Sequence, residues 1–137
     1  MPASALHTKS RFVVEYPINA SPKILYPYLA TAAGLAQWFC DDVRYLEDQR
    51  LNFIWDHENH YAEIGTQRLN RAVRFVFLDE QRRAVPDASF LEFTLDSSQV
   101  TDEVYLRITD YSATADADEQ QELWEGLVGK LREQVGG

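Results

Sequence analysis

Apolar residues recur along this chain with two different periods. Up to about residue 110 they mostly alternate with polar ones; beyond Asp116 they return every three or four positions. Arg11 to Tyr16 places Phe12, Val14 and Tyr16 on one face of an extended strand. Leu51, Phe53 and Trp55 alternate with Asn52, Ile54 and Asp56. In Ala72 to Leu78, Val73, Phe75 and Phe77 oppose Arg74. In Ser89 to Leu95, Leu91, Phe93 and Leu95 oppose Glu92 and Thr94, and in Glu103 to Asp110, Val104, Leu106 and Ile108 oppose Arg107 and Thr109. Tyr61 to Arg68 alternates weakly, and its period alone does not fix an inward face. Strands with one apolar and one polar face predict a half-buried antiparallel sheet rather than a parallel one.

The helical signals frame that sheet. Ser21 and Pro22 predict a helix start, serine as N-cap and proline at the first helical position. Pro27 lies a turn and a half further on and predicts a kink or break. Thr31 is an N-cap for a second short helix carrying Leu35, Trp38 and Phe39. At the C-terminal end, Leu123, Trp124, Leu127, Val128, Leu131 and Val135 form one broad apolar stripe on a long helix. Asp116 and Glu119 make a D-x-x-E variant of the capping box at its start, and Gly136-Gly137 stops it. Only this helix is long enough to cover the apolar face. The expected architecture is α+β: a curved antiparallel sheet wrapped around a long C-terminal helix, with two short helices after the first strand. Such an arrangement readily encloses a cavity.

Length and charge narrow the picture. A chain of 137 residues is one domain by size, read here as residues 11–137 after a tail at 1–10. The net charge is −9, and residues 87–137 carry 3 Lys+Arg against 12 Asp+Glu. Much of that excess falls on the last helix, as Glu119, Glu122, Glu125 and Glu133. An acidic surface repels phosphate, which argues against nucleic acid and anionic membranes. A solvated face tuned for solubility is the simpler account; a docking face for a basic protein is the sharper one. The single cysteine, Cys40, leaves no internal disulfide, and residues 1–10 show no secretory h-region. With no apolar run of bilayer-spanning length, a cytoplasmic protein without membrane insertion is expected.

Candidate chemistry is sparse. Asp56-His57-Glu58-Asn59-His60 suggests a metal or catalytic cluster, but its histidines are three apart, and flanking strand patterns favour a solvated hairpin turn. His7 lies in the tail, and the charges of Asp41 and Asp42 disfavour a Cys40 thiolate. No Ser-His-Asp order, CxxC pair or phosphate-cradling glycine loop is present. No metal and no cofactor are expected. Asp79 to Asp87 is longer than a tight hairpin needs, and its Arg82-Arg83 pair suggests a lid that meets a ligand's acidic group, or else an ordinary surface loop. As inward acids or bases, the faces offer Tyr16, Tyr61 and Glu63.

The order of strand, two short helices, antiparallel strands and terminal helix resembles the START-like, helix-grip (SRPBCC) superfamily. Tyr28-Leu29-Ala30, Leu35-Ala36-Gln37-Trp38-Phe39 and the closing Leu123-Trp124, Leu127, Leu131 resemble its activator-of-Hsp90-ATPase-homologue group (AHSA1-like). Asn52 to Trp55 and Val73 to Asp79 resemble more closely the short acidic START-like proteins of bacteria. The resemblance implies a cavity between sheet and helix for a small hydrophobic molecule, lipid or polyketide-like. Its wall would come from Trp38, Phe39, Phe53, Trp55, Tyr61, Phe75, Phe77, Phe93, Trp124 and Leu127. The competing account is that these rings simply fill the core. A non-catalytic binding protein, monomeric or weakly dimeric, is the leading expectation. A chaperone-regulator or other interaction module using the acidic helix is the first alternative, and a cyclase or dehydratase the second.

Overall fold

The computed structural model describes residues 9–113 and 116–136. The elements run β1 (Ser10–Ile18), α1 (Pro22–Ala30), α2 (Ala32–Leu35), β2 (Asp42–Leu46), β3 (Arg50–Trp55), β4 (Glu58–Arg68), β5 (Ala72–Phe77), β6 (Phe90–Ser97), β7 (Val104–Ser112) and α3 (Ala117–Val135). Residues 1–8 of the expected tail, with His7, and the final Gly137 lie outside the described residues. The seven strands make one sheet in the order β1-β7-β6-β5-β4-β3-β2, antiparallel at every step. Every alternation in the sequence has its place in that register. Phe53, Phe75 and Phe93 come to one face, with Val73 paired to Phe93 and Phe93 to Ile108. Leu51, Phe53, Val73, Phe75, Phe93, Leu106 and Ile108 are fully buried there.

Three local features depart from expectation. β2 falls in what reads as a connection: only Val43 of its five residues is buried, so a short edge strand leaves almost no apolar alternation. Its turn into β3 uses Asp48 and Gln49 at φ 59° where a glycine would be the usual choice. Pro27 does not break α1. Its ring faces solvent and costs a single backbone bond, while its carbonyl still accepts from the Thr31 backbone N–H at 3.2 Å and from Thr31 Oγ1 at 2.7 Å. In α3, Trp124, Val128 and Leu131 are buried with Gln120, but Leu123 is 56 % exposed and Leu127 half-buried. The broad stripe therefore splits into a core row and a row facing outward.

The N-cap residues fall where the sequence places them, but Asp116 bonds the Asp118 N–H and not the Glu119 N–H of the expected capping box. Ser21 Oγ accepts from the Ile24 N–H, Thr31 Oγ1 from the Gly34 N–H, and Asp116 Oδ1 from the Asp118 N–H. Gly136 ends α3 at φ 87°, donating its N–H to the Arg132 carbonyl. α3 lies over the concave face, against β1 and α1.

Candidate functional site

The site grows from the aromatic layer under α3. Phe39, carried by the turn after α2, has five rings within 5.1–6.0 Å: Trp38, Phe53, Trp55, Phe93 and Trp124, the last stacked at 15°. Phe75 extends the layer, 5.2 Å from Phe53 and 6.5 Å from Phe93. Phe53, Phe75 and Phe93 have no exposed surface and form the floor beneath the site rather than its wall. Above and beside them an open cleft of about 1370 Å³ lies between α3, the β3–β4 hairpin, the segment after α2 and the end of β5. Trp38, Phe39, Trp55, Tyr61, Phe77, Trp124 and Leu127 all border it. Thus seven of the ten residues proposed from the sequence meet at the cleft, and three lie under it.

The indoles are held by their N–H groups. Trp38 Nε1 donates to the Tyr28 carbonyl at 2.8 Å, Trp55 Nε1 to the Phe39 carbonyl at 3.3 Å, and Trp124 Nε1 to Asp110 Oδ2 at 3.3 Å. With all three polar tips used internally, the tryptophans offer the cleft only ring surface. Leu123 and Leu127, one turn apart on α3, line the mouth.

Of the polar groups expected to face inward, Tyr61 alone borders the cleft, and His60 and Asp110 join it there. Register puts His60 opposite Phe53 and Asp110 opposite Leu91, both on the concave face. His60 stands edge-on to Trp55 at 4.9 Å. Asp110 is fixed by two donors from α3, Trp124 Nε1 and Gln120 Nε2, the latter at 2.9 Å. Glu63 pairs with Arg50, and Tyr61 with Asn52, on the convex side. Tyr61 reaches the cleft only at its edge, and Glu63 does not border it. Tyr16 does face inward but lies apart from the cleft, between β1 and Arg132. Asp56 and His57, at φ 49° and 66°, form a two-residue hairpin turn, so His57 is solvated as the sequence implied while His60 lies half-buried in β4.

Sequence signals for these residues exist. Asp110 continues the inward series Val104, Leu106, Ile108 by one more step. The Asp-His turn, once recognised, fixes the parity of β4 and with it His60.

The 78–89 loop borders the cleft through Leu78, Asp79, Glu80 and Ser89. Asp79 Oδ1 accepts from the Gln81 and Arg83 N–H groups at 2.9 and 2.8 Å, which together with the Arg83 guanidinium holds its carboxyl below the usual range. Arg83 lies 3.4 Å from Asp79, and Arg82 sits over the Tyr61 ring at 4.7 Å. Neither arginine is among the residues bordering the cleft. Cys40 does border it, donating its S–H to the Asp42 carbonyl at 3.2 Å, and burial pushes its thiol up to about 11. Among the described residues no cluster of three or more His, Cys, Asp or Glu could hold a metal, and no helix is long and apolar enough to cross a membrane.

This sheet, grip helix and cleft are a known combination, and the START-like superfamily domain matches residues 6–137. The chain belongs to that superfamily. START-like domains commonly bind hydrophobic ligands. None of the curated proteins matches the chain in sequence. Among solved structures, this START-like domain is similar to BfR322 of Bacteroides fragilis at 34% identity, covering 92% of this chain and 90% of that one with a TM-score of 0.61. The Aha1 dimer of Colwellia psychrerythraea shares its fold at 16% identity and TM-score 0.72, over 92% and 96% of the two chains. Mll3558 of Rhizobium loti does so at 17% identity and TM-score 0.71, over 94% and 99%.

Proposed function

We propose that this START-like domain is a non-catalytic, cytoplasmic binding protein for a small hydrophobic ligand of lipid or polyketide size. The observation that carries the reading is the cleft of about 1370 Å³ bordered by three indoles, Phe39, Phe77, the exposed Leu123 and the half-buried Leu127. A monomer this small gains nothing from leaving leucines and ring faces beside an open cleft unless something apolar covers them. The core does not need the cleft for its own packing, because Phe53, Phe75 and Phe93 already close the layer below. The loop after β5 serves this reading as a lid through Leu78, Asp79 and Glu80, which border the cleft, while Arg82 and Arg83 lie outside its border.

Native mass spectrometry of gently purified protein tests this directly. The expected spectrum shows a bound organic mass that disappears on denaturation, and a monomer or weak dimer. A bare protein whose tryptophan fluorescence also ignores neutral amphiphiles up to their solubility limit would overturn the reading.

A further inference from the structure

The arginines of the strands are sorted by face of the sheet. All the strand arginines, Arg11, Arg44, Arg50, Arg68, Arg74 and Arg107, fall on the convex side by register. Four of them are matched there by acids: Arg74 with Glu92 at 3.2 Å, Arg107 with Glu15 at 2.9 Å, Arg44 with Asp42 at 3.0 Å and Arg50 with Glu63 at 4.0 Å. The cleft receives the opposite assortment. Asp41, Asp56, Glu58, Asp79, Glu80 and Asp110 border it, Asp79 alone of them paired with an arginine (Arg83, 3.4 Å), against Lys130 as the single basic residue apart from His60 among the described residues there. Five of these six carboxylates come from the half of the chain whose total charge is balanced, so the imbalance is created by folding. It does not follow from the acidic C-terminal segment.

The aromatic wall adds a second, independent preference. Ring faces carry the negative part of the aromatic quadrupole and attract cations, tryptophan most strongly. Trp55 is the indole with accessible ring surface beside the cleft, Trp38 and Trp124 being buried, and its N–H is committed to the Phe39 carbonyl. Asp110 is positioned at the boundary of wall and rim. Both of its donors from α3 go to Oδ2, and among the described residues no donor reaches Oδ1. A carboxylate oriented by one oxygen leaves the other for a cation at no reorganisation cost.

From these placements, and resting on the ligand-binding reading above, we infer that the cleft selects amphipathic cations: an amine or quaternary ammonium joined to an apolar body. The apolar body lies along Leu123, Leu127 and Phe77, and the cationic group meets the Trp55 ring and the rim carboxylates. Fatty carboxylates and phosphate-bearing lipids are the chemistry this cleft repels.

The test compares n-decyltrimethylammonium, 1-decanol and decanoate, which share an apolar chain, by titrating the intrinsic tryptophan fluorescence below their aggregation limits. The expected order is ammonium, decanol, decanoate, with the ammonium at least about tenfold tighter than decanol at low salt and that gap shrinking as salt is added. Combining Asp56→Asn, Glu58→Gln and Glu80→Gln, all exposed, is expected to erase the gap between the ammonium and decanol. Combining Glu122→Gln, Glu125→Gln and Glu133→Gln on the outer side of α3 is expected to preserve it. Equal affinities, or decanoate the tightest, overturn the cation inference and leave the hydrophobic cleft standing. A gap that survives the rim substitutions, or vanishes with the helix substitutions, assigns the preference to the overall charge and overturns it too. If none of the three binds, the ligand-binding reading falls with it.

Discussion

Cys40 shows how little a residue's sequence neighbours say about its chemistry. Asp41 and Asp42 alone would raise its pKa somewhat, but removal from water is the larger cause and takes the thiol from 9.0 to about 11. The folded chain therefore holds this proton more tightly than the unfolded one. That stabilisation is intact below about pH 9 and is lost as pH climbs towards 11. Alkylation of Cys40 is expected to stay slow at pH 8 and to accelerate only above about pH 10. In a Cys40→Ala variant the alkaline fall in stability should be shallower. Ordinary thiol reactivity at pH 8 would show that the side chain is not buried as described. His60 and Asp110 make the complementary point. Their residue types carried no signal, because a histidine beside a turn and an acid at a strand end are usually solvated. Their direction followed from strand parity, which was legible for β7 and not for β4.

At the scale of elements, most boundaries were written locally, as caps, alternation and helical spacing, and these survive folding because each uses only near neighbours. What was not legible is what elements do to one another. α1 and α2 approach so closely that a Cβ on Gly34 would lie 2.0 Å from the Pro27 carbonyl oxygen and 2.6 Å from the Tyr28 Cα. No feature of the surrounding Ala32-Ala33-Gly34-Leu35 announces this. The close approach holds Trp38 against the Tyr28 carbonyl and so sets one wall of the cleft. Gly34→Ala is expected to destabilise the fold by about 1–3 kcal/mol, read as a lower urea midpoint at unchanged m-value. A neutral result would mean that the two helices part freely. Edge strand β2 was illegible for a different reason: with one buried residue it has no apolar period to read. The split of the α3 stripe belongs here too. Spacing identifies the apolar sector of a helix but cannot say which half the sheet covers, and the uncovered Leu123 and Leu127 are the half that borders the cleft.

At the scale of the whole molecule, the net charge of −9 and the arginines of the convex face make competing demands. If net charge governs, polyanions are repelled everywhere; if the convex arginines act as an independent basic face, a phosphate surface would dock there despite the total. The pairings decide between them. Arg74 and Arg107, which line one shallow hollow of that face with Arg11, each have a carboxylate within 3.2 Å, so most of the positive charge there is already matched at the distance of an approaching surface. Binding a phosphate there would require breaking those pairs as well as overcoming the general repulsion, and no counterion release from the ligand compensates for a cation that is already neutralised. The chain is therefore expected to show no co-sedimentation with phosphatidylserine vesicles and no shift of duplex DNA at about 0.1 M salt. Substituting Glu15→Gln and Glu92→Gln together should create weak, salt-sensitive binding to both, because it frees Arg107 and Arg74 without touching the cleft. Binding by the unsubstituted protein would show that the paired arginines remain available, and that the face opposite the cleft has a partner of its own.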